Sequence, residues 1–459
     1  MKNLRHENEM IQFHRVKAPA DKYYIGYISF LILGICITQP WVFSLNYSTL
    51  SYSQWPFNSL VEALDFFQEK LPDHDVSYVA PAITFGPFFA THMLMVAFNN
   101  WYNPVQVIKI CLFAIIGLNI ALPIFLEIIA IESINWIITL CWVSISSGLN
   151  GMVQAWLFGL VGPFPSGWLV SLYFGWSVGG IIISLARAIS LVVFDNDGSD
   201  DYSSFDSALL YFLINSLILT IGFIFLTIVA TTQFFRYYRG RLLITSFALQ
   251  VGSWSDMSSP VSTHHVPDVA LINESMVSDD FQEDVRMPNV HASIFKTFKN
   301  TFWQLLGILI IFLQTYLVLP FILLKGTISF IDNESWKVWF VITLYSASDM
   351  ISKIISQKSM LLTTFTTVLV TIIRSLFIGI AILSALDFDL FSDDLIKIFN
   401  IIAIGFTNGY TSSCQIIIAW SNAMPYEKEL TSKMMSFMII LGIIFGNLIS
   451  SFGVSKLFD

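Results

Sequence analysis

The sequence has 459 residues, of which 55% are hydrophobic and 12% are charged, and its formal net charge is −9. A soluble globular domain carries about 25% charged residues, so the apolar side chains are predicted to lie in a bilayer rather than in a soluble core. The chain has no basic block of the kind that binds nucleic acid. Its four cysteines lie in apolar runs without a CxxC pair, which excludes a disulfide framework and argues against a metal site.

Eleven apolar stretches are long enough to cross a membrane, since a transmembrane helix needs about 20 predominantly apolar residues. They lie at 23–45, 80–101, 106–129, 135–161, 168–194, 207–234, 301–324, 336–357, 360–385, 396–420 and 432–455. The predicted fold class is therefore an all-α polytopic membrane protein with about 11 transmembrane helices.

A polar segment, residues 236–298, divides these stretches into six and five. It shows no sustained hydrophobic period, so we expect a mostly disordered cytoplasmic linker. The chain then consists of a cytoplasmic tail (1–22), an N-terminal six-helix bundle (23–235), this linker (236–298) and a C-terminal five-helix bundle (299–459). Two bundles joined by a central loop are typical of rocking transporters.

Basic residues predict the orientation. Lysine and arginine are frequent in the first 22 residues and again just after the sixth stretch, whereas the link 195–206 is acidic and has neither. The positive-inside rule then places the N-terminus in the cytoplasm and, with an odd number of crossings, the C-terminus outside. We expect an integral membrane protein of the plasma membrane.

The first two stretches contain Trp41 and His92. Trp41 lies near the end of its stretch, where an aromatic belt at the membrane surface is the simplest explanation. His92 stands alone in an apolar run, which favours a core histidine over a proton relay.

Asn150, Gln154 and Phe158 recur every four residues in the fourth stretch and so form one stripe of the helix. An amide beside an aromatic ring suits a heterocyclic base, because the amide both donates and accepts while the ring stacks. Hydrogen bonding between helices would explain the same amides. The residues alone favour that second explanation.

Pro165 lies in the tight link 162–167, where prolines forbid a continuous helix. In the fifth stretch Gly175 and Gly179, four residues apart, allow another helix to approach closely. Arg187 shares their face and is predicted to point into the bundle. A bridge between helices and a contact with the transported solute both fit Arg187.

The eighth stretch contains Ser346, Asp349 and Lys353 on one helical face. Each charge costs about 2.5–3.5 kcal/mol if it faces lipid, so a partner or a wet cavity is expected. An internal ion pair, a lysine that reaches the membrane surface and a site for a polyhydroxylated ligand all remain open. Arg374 of the ninth stretch is expected to be structural or interfacial.

The sequence has no Walker A motif, no HExxH motif and no TVGYG filter. These absences exclude a P-loop ATPase, a zincin and a potassium channel of the usual kind. The residues therefore favour a carrier that is driven by a gradient or coupled to an ion, that is not an enzyme and that needs no cofactor or metal.

Several motifs in chain order resemble those of the equilibrative nucleoside transporter family, in the form seen in protozoan members. The run from Gln154 to Pro165 is similar to the signature of the family's fourth span. Further similar motifs are Pro40-Trp41, Gly175 with Gly179-Gly180 and Arg187, Gln314-Thr315, Asp349-xxx-Lys353, Phe406-Thr-Asn408-Gly409-Tyr410, and Gly442-xxx-Gly446 after Pro425.

The resemblance implies a major-facilitator-like arrangement of six plus five helices and facilitated transport of nucleosides, and in some members nucleobases, by alternating access. It implies that Trp41 lines the cavity near the base, that Gln154 hydrogen-bonds the base, and that Asp349 and Lys353 contact the ribose or nearby atoms of the ligand. The predicted substrate-binding residues are Trp41, Gln154, Phe158, Arg187, Ser346, Asp349 and Lys353. The predicted structural residues are Pro165, Gly175, Gly179, Asn408, Gly442 and Gly446.

The motifs depart from the family at the ribose end. Val42 replaces an asparagine, Ser346 replaces another, and Ser352-Lys353 replaces Gly-Arg. Lysine is a point charge and cannot copy the planar fork of arginine. These departures predict a preference that leans towards nucleobases.

The predicted function is facilitated transport of nucleosides, and nucleobases with them, by a monomer whose partners are the solute and the lipid bilayer. Two other functions stay open. One is a proton-coupled carrier of another polar solute, with Asp349 as the proton site. The other is a membrane receptor that does not transport and signals through residues 236–298.

Overall fold

The computed structural model describes residues 21, 24–38, 67, 70–71, 76–97, 103–129, 131–195, 204–240, 292–318, 328–331, 334–358, 363–386, 388, 391 and 393–450. These residues form eleven long α-helices and no β-strand. In chain order the helices are α1 (Ile25–Thr38), α2 (Val76–Ala97), α3 (Pro104–Ile128), α4 (Glu132–Val161), α5 (Ser166–Asp195), α6 (Ser204–Thr231), α7 (Ile294–Val318), α8 (Glu334–Lys358), α9 (Thr364–Ala385), α10 (Asp394–Asn422) and α11 (Lys428–Ile449).

Each of these helices overlaps one of the predicted apolar stretches. The longest, α4 and α5, have 30 residues each, which at 1.5 Å per residue gives about 45 Å, more than the hydrocarbon core of about 30 Å. Within the described ranges, seven helices combine the length and apolar character of a membrane span. The predicted all-α membrane fold is confirmed, and the number of crossings stays a prediction.

Local signals fix where several helices begin. Asn103 caps α3 by accepting a hydrogen bond from the backbone N–H of Val105. Thr363 and Thr366 form a reciprocal capping box at the start of α9, and the side chain of Asp393 caps α10. These side chains satisfy backbone donors that the first helical turn leaves without partners.

Packing divides the helices into two groups. In the first, α1 packs on α5 and α6, α2 on α4, and α3 on α4 and α6; in the second, α7 packs on α9, α10 and α11, while α8 and α9 pack on α10. The most extensive contacts between the groups lie along two seams. In the α5–α8 seam, α5 lies against α8 and α10. In the α4–α11 seam, α4 and α2 lie against α11.

Glycines bring two pairs of helices into close approach. Gly175 of α5 faces Gly34 of α1, and a Cβ at Gly175 would collide with the carbonyl oxygen of Leu31. A Cβ at Gly442 or Gly446 of α11 would come within 2.6 Å of a backbone carbonyl oxygen of α7. The backbones are therefore too close at these positions for any side chain.

Three connecting segments lie at one end of the molecule: residues 162–165 between α4 and α5, 233–240 after α6, and 423–427 between α10 and α11. Here Trp420 Nε1 donates to the carbonyl oxygen of Gly162 at 2.8 Å. The guanidinium of Arg239 lies 3.4 Å from the carboxylate of Glu429. Both contacts join the first group of helices to the second.

Candidate substrate-binding site

The acidic and basic residues of α8 form an ion pair inside the protein. Asp349 and Lys353, one helical turn apart, are 6% and 3% exposed, and Lys353 Nζ lies 2.9 Å from Asp349 Oδ2. Burying either charge alone would be costly, and the pairing offsets part of that cost. The burial of Lys353 excludes the alternative in which its amine reaches the membrane surface.

Helix α5 supplies the groups that face this pair across the α5–α8 seam. Ser177 Oγ donates to Asp349 Oδ2 at 2.6 Å and accepts from Lys353 Nζ at 2.5 Å. The ammonium also lies 3.6 Å from the ring centroid of Tyr173, whose electron-rich face stabilises a cation. Residues of one helical group therefore hold a charged pair of the other.

Helices α10 and α7 extend the hydrogen bonding. Asn408 Nδ2 donates to Asp349 Oδ1 at 2.7 Å, and Asn408 Oδ1 lies 2.8 Å from Thr315 Oγ1 of α7. The hydroxyl of Tyr173 donates to Ser412 Oγ at 2.8 Å. Both carboxylate oxygens of Asp349 thus have a partner in this conformation.

Arg374 of α9 is hydrogen-bonded to Thr315, and through it to Asn408. It is 1% exposed and donates to the carbonyl oxygen of Ile311 at 2.7 Å, to Thr315 Oγ1 at 2.6 Å and to Thr407 Oγ1 at 3.1 Å. These partners belong to α7 and α10, so the described hydrogen bonds of the guanidinium all lie within the second group of helices. The side chains joined by these hydrogen bonds are Tyr173, Ser177, Thr315, Asp349, Lys353, Arg374, Asn408 and Ser412.

Ser346 lies one turn before Asp349 on the same face of α8 and is half-buried. It faces Gly180 of α5, since a Cβ at that glycine would lie 3.5 Å from Ser346 Oγ. Gly179, the neighbouring glycine, is buried. Ser346 is therefore part of the α5–α8 seam, close to the ion pair.

The predicted stripe of α4 lies at the other seam. Gln154 is fully buried and donates from Nε2 to Ser436 Oγ of α11 at 3.1 Å. Gln154 Oε1 and Asn150 Nδ2 have no hydrogen-bond partner among the described residues. Phe158 is buried in the apolar core. The described contacts bring Gln154 against α11 and not against the ion pair of α8.

The two seams together contain a carboxylate, an ammonium group and primary amides that can form hydrogen bonds to a solute. A carboxylate accepts hydrogen bonds, an ammonium donates them, and primary amides do both. Among the residues that the structure describes, no cluster of histidine, cysteine or carboxylate side chains could hold a metal ion. The arrangement suits recognition of a neutral polar solute.

A family model described as nucleoside transporter matches residues 138–454, more than two thirds of the chain. The chain belongs to the nucleoside transporter family. Among individual relatives, it is 23% identical to the human protein Equilibrative nucleoside transporter 2, over 94% of this chain and 96% of that one. It is 20% identical to Equilibrative nucleotide transporter 1 of Arabidopsis thaliana, over 95% of this chain and 88% of that one.

Solved structures show the fold. A bacterial homologue of the iron transporter ferroportin, in an outward-facing state, superposes with a TM-score of 0.58 at 10% identity, over 94% of this chain and 93% of that one. XylE, a proton:xylose symporter of the major facilitator superfamily, gives 0.56 at 10% identity, over 94% and 87%. At such low identity the likeness concerns the arrangement of helices alone.

These comparisons decide several predictions. The equilibrative nucleoside transporter family, the major-facilitator-like helical fold and facilitated nucleoside transport are confirmed. The chain is an integral membrane protein. Its resemblance to protozoan members stays a prediction.

This family member also contains a buried cation that the sequence did not single out. Lys433 of α11 is fully buried, 3.2 Å from Glu429 Oε1 and 3.8 Å from the ring centroid of Trp156. Its side chain lies over Gly159, where a Cβ would collide with it. The available signal was the Glu429–Lys433 spacing of four at the start of an apolar stretch.

For three of the predicted residues the structure gives few or no side-chain contacts. Trp41 lies outside the described residues. Arg187 belongs to α5, but its side chain is outside the described part of the chain. Pro165 lies directly before α5, and its carbonyl oxygen accepts the backbone N–H of Trp168 at 3.0 Å.

Proposed function

We propose that this chain carries nucleosides, and nucleobases with them, across the plasma membrane by alternating access of its two bundles. The ribose binds at Asp349 and Lys353, and the base binds at the α4–α11 seam. The observation that carries this proposal is the buried ion pair on α8, whose hydrogen-bond partners include Ser177 of the opposite helical group.

The pair has the chemistry that a ribose needs. The two carboxylate oxygens of Asp349 accept hydrogen bonds from hydroxyl groups, and the ammonium of Lys353 donates to a hydroxyl or ring oxygen. Hydrogen bonds to charged groups are stronger than those between neutral groups, about 1.5–3 kcal/mol each. A ribose with two adjacent hydroxyls would use both oxygens.

Opening of the α5–α8 seam frees part of this site. Ser177 contacts both members of the pair from α5, so it withdraws when the two bundles separate. Asn408 comes from the same bundle as Asp349 and stays. A substrate hydroxyl then takes the place of the serine hydroxyl, and this exchange couples ribose binding to bundle movement.

The base has a complementary surface at the α4–α11 seam. Gln154 Oε1 and Asn150 Nδ2 offer one acceptor and one donor that lack partners among the described residues. The resemblance to the family adds Trp41 as a residue near the base, and Phe158 and Arg187 are the further residues that we assign to substrate binding. Ser346 and Lys353, where the family has asparagine and arginine, weaken the ribose end and favour nucleobases as additional substrates.

The remaining features follow from topology and composition. We infer a cytoplasmic N-terminus and an extracellular C-terminus from the distribution of basic residues. The four regions are a tail (1–22), a six-helix bundle (23–235), a linker (236–298) and a five-helix bundle (299–459). The protein acts as a monomer without a cofactor, and the transporter family and fold argue against an enzyme.

Uptake of radiolabelled adenosine, uridine and adenine into proteoliposomes with purified protein tests the proposal. Saturable uptake that stops at equilibrium is expected, with and without a pH gradient. Asp349→Asn, Lys353→Met and Gln154→Ala are expected to abolish it. The control for Lys353→Met is Lys299→Met, which removes an exposed lysine near the start of α7 and should transport normally.

Two results would overturn the proposal. Concentrative uptake that requires the pH gradient would indicate a proton-coupled carrier. No uptake of any of the three solutes by folded protein would mean that the fold is shared and the substrate is not.

A further inference from the structure

Helices α2, α4 and α11 meet at one buried point of the α4–α11 seam. Lys433, Ser436 and Phe437, spaced by three and four residues, form one face of α11. Ser436 accepts the hydrogen bond of Gln154. The ring of Phe437 stacks on that of His92 of α2, with centroids 6.2 Å apart and planes 27° from parallel. Two helices of one bundle thus converge here on one helix of the other.

His92 is fully buried at this point. Phe88 on its own helix lies 5.9 Å away, between ring centroids, and Phe437 flanks the ring from α11. The backbones of Gly151 and Lys433 lie beside the ring, yet neither ring nitrogen has a partner with hydrogen-bond geometry among the described residues. The imidazole therefore has backbone neighbours on α4 and α11 but no well-formed hydrogen bond to them in this conformation, so its donor and its acceptor are available to a ligand.

Two amide side chains of α4 also have a buried polar atom without a hydrogen-bond partner in the part of the chain that the structure describes. These atoms are Gln154 Oε1 and Asn150 Nδ2. Gln154 lies one turn after Gly151, the residue whose backbone adjoins His92. Neutral imidazole adds one donor and one acceptor. The three side chains therefore offer two donors and two acceptors beside the aromatic rings of Phe88 and Phe437.

We infer that His92 recognises the polar edge of the transported base, which assigns this residue a specificity role within the site of the proposed function. The ligand class that fits is a planar heterocycle with both donors and acceptors on its edge. Because one imidazole nitrogen donates and the other accepts, the residue suits both amino and oxo substituents of purines.

The seam also explains why the groups lack partners in this conformation. Its α11 side belongs to the second bundle, and the closed seam is held by the Gln154–Ser436 hydrogen bond and by Phe437 against His92. A base enters when the bundles separate here. It then supplies the hydrogen bonds that the closed seam does not provide.

Proteoliposome uptake with edge-modified substrates tests this inference. The substrates are adenosine, purine riboside, 1-deazaadenosine and 7-deazaadenosine, each analogue lacking one polar edge group. We expect the wild type to prefer adenosine over at least one analogue by about three- to tenfold in KM, the value of one hydrogen bond. His92→Phe keeps the stacking ring but should abolish that preference, and His92→Gln, which can donate and accept, should retain it.

The control variant is Asn215→Leu, which removes another buried amide with an unpartnered oxygen, in α6. It should leave KM and every preference unchanged. Analogue preferences that survive in His92→Phe, or a uniform loss of uptake at constant KM, would overturn the inference and make His92 a packing residue. Failure of the wild type to transport any nucleoside would instead overturn the proposed function on which the inference rests.

Discussion

Asp349 has structural partners as well as a proposed ligand, and substitutions can separate the two roles. Asp349→Asn leaves the ammonium of Lys353 buried without its carboxylate, and removing one member of a buried pair costs about 3–5 kcal/mol. We expect a clear fall in the melting temperature of the detergent-solubilised protein and loss of uptake. The double variant Asp349→Asn/Lys353→Met removes both charges, so its melting temperature should recover towards that of the wild type.

Uptake by the double variant decides between the roles. It should stay absent despite the recovered stability, because neither the acceptor nor the donor for the ribose remains. Recovery of uptake together with stability would mean that the pair only holds the helices together.

Arg374 has a different role from the ion pair, since all its described contacts are internal to the second bundle. Arg374→Lys replaces a planar fork that reaches several acceptors by a single ammonium group. Unsatisfied acceptors on α7 and α10 should lower the free energy of unfolding by about 1–3 kcal/mol. The KM of the folded fraction should not change. A KM shift measured alongside thermal unfolding would show that Arg374 contacts the solute.

At the scale of helices, the close approach of α1 and α5 predicts a strong difference between two glycines. Gly175→Ala adds a Cβ that collides with the backbone of α1, so α1 and α5 must separate and the protein should be destabilised. Gly379→Ala of α9 meets nothing within 4 Å and should stabilise the protein by about 0.5–1 kcal/mol, because alanine favours the helix. Thermal unfolding compares them. Equal melting temperatures of the two variants would contradict the close packing.

The positions of the helices could be predicted from the sequence because the bilayer sets both the length and the polarity of each segment. Their ends were less predictable. Helix α7 begins at Ile294, before the predicted stretch 301–324, but its backbone is kinked at Thr301, where φ is −117° and ψ is 16°. The predicted stretch therefore begins at the kink, and the hydropathy pattern misses only the preceding turns, which carry Lys296 and Lys299. Helix α9 begins later than predicted, at Thr364, where the Thr363 capping box starts it.

The candidate site could be predicted only where its residues share one helix. Asp349 and Lys353 are four residues apart, so their pairing follows from helical geometry. Ser177 and Asn408 come from helices far apart in the chain, and no local pattern relates them to Asp349. The same holds for His92 and Phe437.

At the scale of the whole molecule, the two seams contain different parts of the proposed site. The ion pair lies at the α5–α8 seam and the amides of α4 lie at the α4–α11 seam, so each part is shared between the bundles. A substrate that spans both would contact both bundles at once. Its binding would therefore be sensitive to their relative position, as alternating access requires.

This arrangement predicts that a covalent cross-link between the two bundles stops transport. At one end of the α5–α8 seam, the hydroxyl of Tyr27 in α1 donates to Gln357 Oε1 of α8 at 3.0 Å. In a variant whose four native cysteines are replaced, Tyr27→Cys with Gln357→Cys should be cross-linked by a short bifunctional reagent. Uptake should then fall to background and return when a cleavable cross-link is reduced, because the α1 and α8 ends can separate again.

The matched control is a cross-link within one bundle. Ser329 and Asp394 are hydrogen-bonded between the segment before α8 and the first turn of α10, so Ser329→Cys with Asp394→Cys should cross-link without loss of uptake. Transport that continues in the cross-linked Tyr27→Cys/Gln357→Cys variant would contradict separation of the two bundles at this end of the α5–α8 seam. The α5–α8 and α4–α11 seams are the most extensive contacts between the bundles in the described part of the chain. The movement would then have to occur mainly at the α4–α11 seam, and the ion pair of α8 would stay closed to the solute throughout the cycle.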